Sequence, residues 1–209
     1  MKKEKIKNEL YYLWTLYRIP LIGGLIFLLI VGGFIIAALQ KKDNTLEVML
    51  IDSHAAYTDE QMAEEFLQAD YVDPKKWENQ VYGTLLFSET ESGNYAMTSL
   101  SRFLADISSE KLDVCGMQEA DFLKYDDSGS FLDLTICLSE EEIRRFEGQF
   151  LITEDGRRIG IRSEALPRLK EWGCYTGNGN QGVVGIIYNT THLEEAKQYL
   201  TGFLAKAGS

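Results

Sequence analysis

Cysteine and histidine are scarce in this 209-residue chain, with three Cys (Cys115, Cys137, Cys174) and two His (His54, His192). No Cys-x-x-Cys pair, no Cys/His zinc spacing and no His-Glu-x-x-His helix occurs, which excludes the common sequence-local zinc sites. No Gly-x-Ser-x-Gly elbow marks a serine nucleophile, and Ser53 and His54 are neighbours whose side chains diverge along a strand end. Internal repeats and low-complexity tracts are absent, which excludes a solenoid or an array. Basic charge is also short: 21 Lys and Arg against 32 Asp and Glu give a net charge of −11. Such a chain avoids nucleic acid and anionic surfaces. Three cysteines leave open whether two pair outside the reducing cytoplasm.

Present instead is an apolar run that opens at Pro20 and closes at Leu39, PLIGGLIFLLIVGGFIIAAL, with no charged or amide side chain. At about 1.5 Å per residue its length is about 30 Å, the thickness of a bilayer's hydrocarbon. A soluble helix of that length carries a polar stripe, so the run predicts a transmembrane helix over residues 19–39. Lys2, Lys3, Lys5, Lys7 and Arg18 precede it against Glu4 and Glu9, which places the amino terminus inside and the remainder outside. Tyr11, Tyr12, Trp14 and Tyr17 suit the inner interfacial belt. The run is long for a secretory signal and Ala37-Ala38-Leu39 is a weak cleavage site, so an uncleaved signal anchor is expected. Gly23-Gly24 and Gly32-Gly33 would let a second helix approach closely.

Charge then changes sharply. Residues 1–42 hold seven basic and two acidic side chains, so of the totals 21 and 32 there remain 14 basic and 30 acidic in 43–209, a net of −16. The expected division is a cytoplasmic basic and aromatic segment (1–18), the span, a short linker (40–45) and one extracytoplasmic domain (46–209), long enough for a sizeable core.

Within that domain residues 46–51 (LEVMLI) read as a buried strand, and Thr58-Asp59 cap a helix to about residue 69 with Met62, Phe66 and Leu67 apolar. Residues 80–87 (QVYGTLLF) read as a strand, and 95–108 as a helix with Leu100, Phe103, Leu104 and Ile107 on one face. Residues 112–117 (LDVCGM) form a third strand, with short helices near 119–124 and 139–148. Residues 150–153 and 157–161 flank Asp155-Gly156 as a β-hairpin. A strand over 183–188 and an amphipathic helix over 191–205 complete the domain. Strand alternating with helix implies right-handed crossovers, hence an α/β fold with a mostly parallel sheet and flanking helices.

Three stretches resemble the type 2 periplasmic binding proteins, the extracellular solute-binding proteins of bacterial ABC importers. Residues 104–117 (LADISSEKLDVCGM) are similar to that family's helix and following strand. Residues 122–134 (FLKYDDSGSFLDL) are similar to its segment near the interlobe hinge, and 182–204 (GVVGIIYNTTHLEEAKQYLTGFL) to its late strand, turn and helix. The resemblance implies a type 2 binding-protein fold on a single-pass anchor, with the second lobe absent or reduced between about residues 139 and 169. No lipobox cysteine follows the apolar run.

Gly177, Gly179 and Gly182 match Gly-x-Gly-x-x-Gly, but a strand follows them and no helix opens, so the run reads as a loop and not a dinucleotide cradle. Asp126, Asp127, Ser128 and Asp133 surround Gly129 without EF-hand spacing, and read as a polar turn. In open parallel sheets ligands bind beyond the carboxyl ends of the strands. Those positions are Asp52, Ser53, His54 and Tyr57 after the first strand, Ser88, Glu89 and Thr90 after the second, and Gln118 and Glu119 after the third. They form the candidate ligand pocket. No enzyme, metal or cofactor is expected. The expected partners are the bilayer through residues 20–39, a membrane protein and a small-molecule ligand, and the expected role is a binding or accessory module of a membrane transport complex. A structural subunit without a ligand and an extracytoplasmic enzyme are the alternatives.

Overall fold

A computed structural model describes residues 20, 22, 26–32, 44–69, 72, 76–87, 93–177 and 181–206. The chain divides into two compact units, 1–42 and 43–209. In the first, residues 26–32 are helical, and the rest of the expected span lies largely outside the described residues. No helix among the described residues is long and apolar enough to cross a membrane.

The second unit is a six-stranded sheet: β1 (Asn44–Leu50), β2 (Trp77–Tyr82), β3 (Leu112–Gln118), β4 (Phe150–Ile152), β5 (Arg158–Arg162) and β6 (Gly182–Ile186), in the order β2-β1-β3-β6-β5-β4. The first three strands are parallel, and β6, β5 and β4 join antiparallel. The sheet is therefore mixed, which corrects the expectation of a mostly parallel one. Strand–helix alternation carries the crossovers of β1 to β3, but a β-hairpin and a returning strand build the other half. Residues 139–169 belong to this same sheet, where β4 and β5 sit, so no separate lobe is found among the described residues.

Helices α1 (Asp59–Leu67), α2 (Gly93–Ser108), α3 (Glu119–Asp126), α4 (Glu140–Arg145), α5 (Pro167–Glu171) and α6 (Leu193–Lys197) flank it. Thr58 and Gln61 form a capping box at α1, and Ser139 and Glu142 another at α4. Two apolar layers result. Leu46, Val48 and Leu50 pack with Met62, Phe66, Trp172, Tyr199 and Phe203 on one face. Met49 and Ile51 pack with Phe103, Ile107, Cys115, Met117 and Phe122 on the other. Leu104, expected on the buried face of α2, is about half exposed. The terminal helix is α6 continued by a π-helical turn, Gln198–Leu204. There Arg145 donates to the carbonyls of Thr201 (3.3 Å) and Ala205 (2.9 Å), external partners that stand in for the regular ladder.

The second strand begins earlier than the apolar run TLLF suggests. Asp52 turns the chain with φ 51°, its N–H donates to the Leu85 carbonyl (2.9 Å) and its carboxylate accepts the Phe87 N–H (3.1 Å). Residues 83–87 therefore follow the turn instead of the ladder. A register shift falls between Glu47 and Val48, where Leu112 pairs with Glu47 and Val114 with Val48. Asp113 is the extra residue of that β-bulge. Its wholly buried carboxylate accepts the Glu47 N–H (3.0 Å) and the Thr190 hydroxyl (2.5 Å) and meets His192 Nδ1 (3.2 Å).

On the α2 side of β1 the buried Glu47 carboxyl lies against Asp106, beside Arg102 stacked 3.7 Å over Tyr82. Burial first, then the Asp106 carboxylate, push the Glu47 acid up to about 7. Because that value lies above the ordinary one, Glu47 favours the fold at low pH and this contribution is lost as pH rises through about 7. Glu47→Gln should therefore be more stable than the parent by about 2–3 kcal/mol at pH 8 and nearly equal to it at pH 5, read by urea unfolding at both values. Asp113→Ala should lose about 2–3 kcal/mol, since it strands the Glu47 N–H and opens the bulge. An unfolding midpoint equal to the parent's would refute the bulge's role.

Candidate functional site

The expected strand-end residues part company. Asp52 and Ser53 are buried, and both serve the fold. The Ser53 hydroxyl donates to the Gly83 carbonyl (2.8 Å), while its own carbonyl accepts the Tyr175 N–H (3.0 Å). His54, at φ 53°, and Tyr57 are exposed. Gln118 precedes α3 without a side-chain cap, and Glu119 takes a two-point contact from Arg162 (3.2 Å each), which also donates to the Phe150 carbonyl (2.8 Å). Ser88, Glu89 and Thr90 lie outside the described residues. The structure thus brings Asp52 and Ser53 together with Tyr175, and turns Glu119 toward β5.

Tyr175 closes the crest between β1 and β3. Its ring is buried, its backbone is left-handed (φ 55°) and its hydroxyl donates to the Ile51 carbonyl (3.1 Å). A Cβ at Gly182 would overlap that ring, and one at Gly116 would lie 3.0 Å from its hydroxyl oxygen. Gly182, part of the Gly-x-Gly-x-x-Gly match, is therefore small to admit a tyrosine, and it opens a strand as expected; residues 178–180 of that run lie outside the described residues. Burial raises the Tyr175 phenol well above the ordinary range and raises Cys174 to about 12. All three cysteines are free thiols.

An open cleft of about 390 Å³ lies beside the crest, on the α2 side, lined by Phe87, Met97, Leu100, Asp121, Lys124 and Tyr125. Phe87 and Tyr125 form its aromatic wall, backed by the buried Phe103, with ring centroids 5.3–5.7 Å apart among the three. Asp121 is raised by burial and then by Asp52, with Lys124 opposing. An acceptor and a donor above apolar walls suit the binding of a small polar ligand. The sequence hid this cleft because Met97, Lys124 and Tyr125 belong to helices whose polar faces read as solvated. Polarity at helix starts beside strand ends is the signal that points there.

Other constellations settle into structural roles. Asp126 holds Arg157 (2.8 Å), Asp133 accepts the N–H groups of Thr135 and Arg158, and Gly129 turns at φ 74°. That is the expected polar turn. Groups of three or more His, Cys, Asp or Glu side chains poised for a metal are absent among the described residues. His192 faces Asp113 and the edge of Trp77 (5.3 Å), but the adjacent Thr190 hydroxyl donates to the same carboxylate and not to the imidazole, so no nucleophile–base relay forms.

Comparison of the chain with protein-family models, curated proteins and solved structures yields no match.

If the Tyr175 ring is part of the core, Tyr175→Ala should cost about 3–5 kcal/mol and Tyr175→Phe about 1 kcal/mol. Chemical unfolding reads both. A Tyr175→Ala protein of parent stability would make the ring a removable plug over a ligand site.

Proposed function

We propose that this chain is a single-pass membrane protein whose acidic α/β domain faces outward and serves as an accessory module for a protein partner in the same membrane. The observation that carries the tether is the helical stretch Ile26, Phe27, Leu28, Leu29 and Ile30, every one of them 52–69% exposed. At about 100° per residue, five consecutive positions cover the full circumference of a helix. A helix apolar all round is at home in lipid and not in water. The basic flank of Lys2, Lys3, Lys5, Lys7 and Arg18 supports an inward amino terminus.

For the outer domain, the filled crest at Tyr175 argues against a deep solute pocket at Asp52 and Ser53 and favours contact through the flanks. The residues that resemble solute-binding proteins fall on α2–β3, on the α3 turn and on β6–α6, the element types the resemblance implies. They support descent from such a domain more than solute capture. A second reading, a small-molecule site in the Phe87–Tyr125 cleft, is favoured by that cleft's place beside the carboxyl ends of the parallel strands.

Protease added to intact cells that carry tags at both ends should remove the carboxy-terminal tag and spare the amino-terminal one, with the protein retained in the membrane after alkaline extraction. Release by alkali, or loss of the amino-terminal tag alone, would refute the tether and its orientation.

A further inference from the structure

On the opposite side of α3 from the aromatic cleft lies a groove of about 470 Å³, between α3 and the β4–β5 turn. Leu123 (38% exposed) and Ile152 (56% exposed) are its apolar floor. An irregularity in the strand explains Ile152: Phe150 and Leu151 are buried, and the register shift between Leu151 and Ile152 turns the third residue of β4 out at the groove. Asp126, Asp127, Glu154 and Asp155 form its rim, with Arg157 the one cation in the lining. That guanidinium is already engaged by Asp126 (2.8 Å) and Asp155 (2.9 Å). Asp127 and Glu154, both exposed, have no ion-pair partner among the described residues.

The backbone adds direction. β4 is one of the two edge strands of the sheet and is paired on one side to β5. Arg162 takes the Phe150 carbonyl at one end of that edge, and the Ile152 end borders the groove. An edge strand offers main-chain groups to an added strand, and the side chains beside it select which one.

We propose that this groove docks a basic, extended segment of a partner protein, which adds to the β4 edge, sets an aliphatic side chain between Leu123 and Ile152, and brings Lys or Arg to Asp127 and Glu154. Charge complementarity names the occupant. A floor of two aliphatic side chains inside a carboxylate rim repels acidic segments and other copies of this acidic domain, and leaves an uncharged apolar segment with the rim unanswered. The proposal rests on the reading of the domain as a partner-binding module and specifies where and to what it binds.

The test uses the full chain in detergent micelles and a fluorescein-labelled heptapeptide, Val-Leu-Val flanked by two lysines on each side. Fluorescence anisotropy should report saturable binding that weakens with salt, and the same peptide with glutamates should not bind. Asp127→Lys with Glu154→Lys should weaken binding by about tenfold or more. Ile152→Ser, which leaves the charges in place, should weaken it at unchanged salt dependence. These residues are exposed, so unaltered unfolding curves verify that the variants fold. Equal binding by the parent and both variants, or by both peptides, overturns the proposal. Parent self-association that the same substitutions abolish also overturns it, since it assigns the groove to a second copy. Either failure leaves the protease result on the tether untouched.

Discussion

The Asp113 carboxylate is the point on which the sheet turns. It gathers a β1 amide, the Thr190 hydroxyl and the His192 ring, from segments more than sixty residues apart in sequence, around one wholly buried acid. A buried carboxylate is tolerable only when its lone pairs are answered, and here three groups answer it. The consequence for packing is larger than the bonds themselves. Side chains along a strand alternate between faces, so an extra residue exchanges the two faces beyond it. Leu112 lies in the layer under α2 and Val114 in the opposite one, while Cys115 and Met117 return to the α2 layer. Without the bulge, Leu112 and Val114 would share a face and the strand would enter the two cores out of phase.

The two ends of the parallel strands are closed by different physics. At the amino-terminal end the closure is polar, through Asp113 and the loop before α6. At the carboxyl end it is a ring: Tyr175 fills the crest, and the small residues Gly116 and Gly182 make room for it. In folds of this kind a strand-end crest is where ligands enter, so on the proposed reading its closure leaves recognition to the flanks of α3. One flank is an aromatic cleft with a single Asp and a single Lys. The other is the acidic groove with its aliphatic floor. The same short helix and its C-cap supply Lys124 and Tyr125 to the first and Leu123, Asp126 and the capping Asp127 to the second.

Much of the architecture was legible in the sequence because it is local. Helical spacing marked α1 and α2, Asp155-Gly156 marked the hairpin, and Thr58 and Ser139 marked helix starts. Strand direction was not legible. Periodicity is the same for a strand run in either sense, so β6 reads alike whether it joins β3 parallel or antiparallel. The sequence misplaces the end of β2 because Leu85, which is buried, and Phe87, which is partly buried, pack without joining the ladder. For the site, polar residues at strand ends were legible as polar, yet their role depends on partners far along the chain. Ser53 and Tyr175 are 122 positions apart, and no local pattern couples them. Ile152 and Leu123 escaped notice because an exposed aliphatic residue has no sequence signature; only the burial of its neighbours exposes it as an exception.

A membrane tether, as proposed, would change what such a groove needs to achieve. Between Leu39, where the apolar run closes, and Asn44, where β1 begins, stand four residues. Fully extended they reach roughly 14 Å, so on the proposed reading the domain shares a thin layer with whatever else resides in that membrane. Confinement of this kind would raise the effective concentration of a neighbour above its value in dilute solution. A three-residue strand edge, two aliphatic contacts and two free carboxylates would give a weak complex in dilute solution, since small interfaces leave little after the entropy of association. At a raised effective concentration a weak complex would be occupied more of the time, and it would also dissociate quickly. On the proposed reading the helix and the modest groove therefore belong to one design: the anchor would supply occupancy, and the acidic rim the choice of partner.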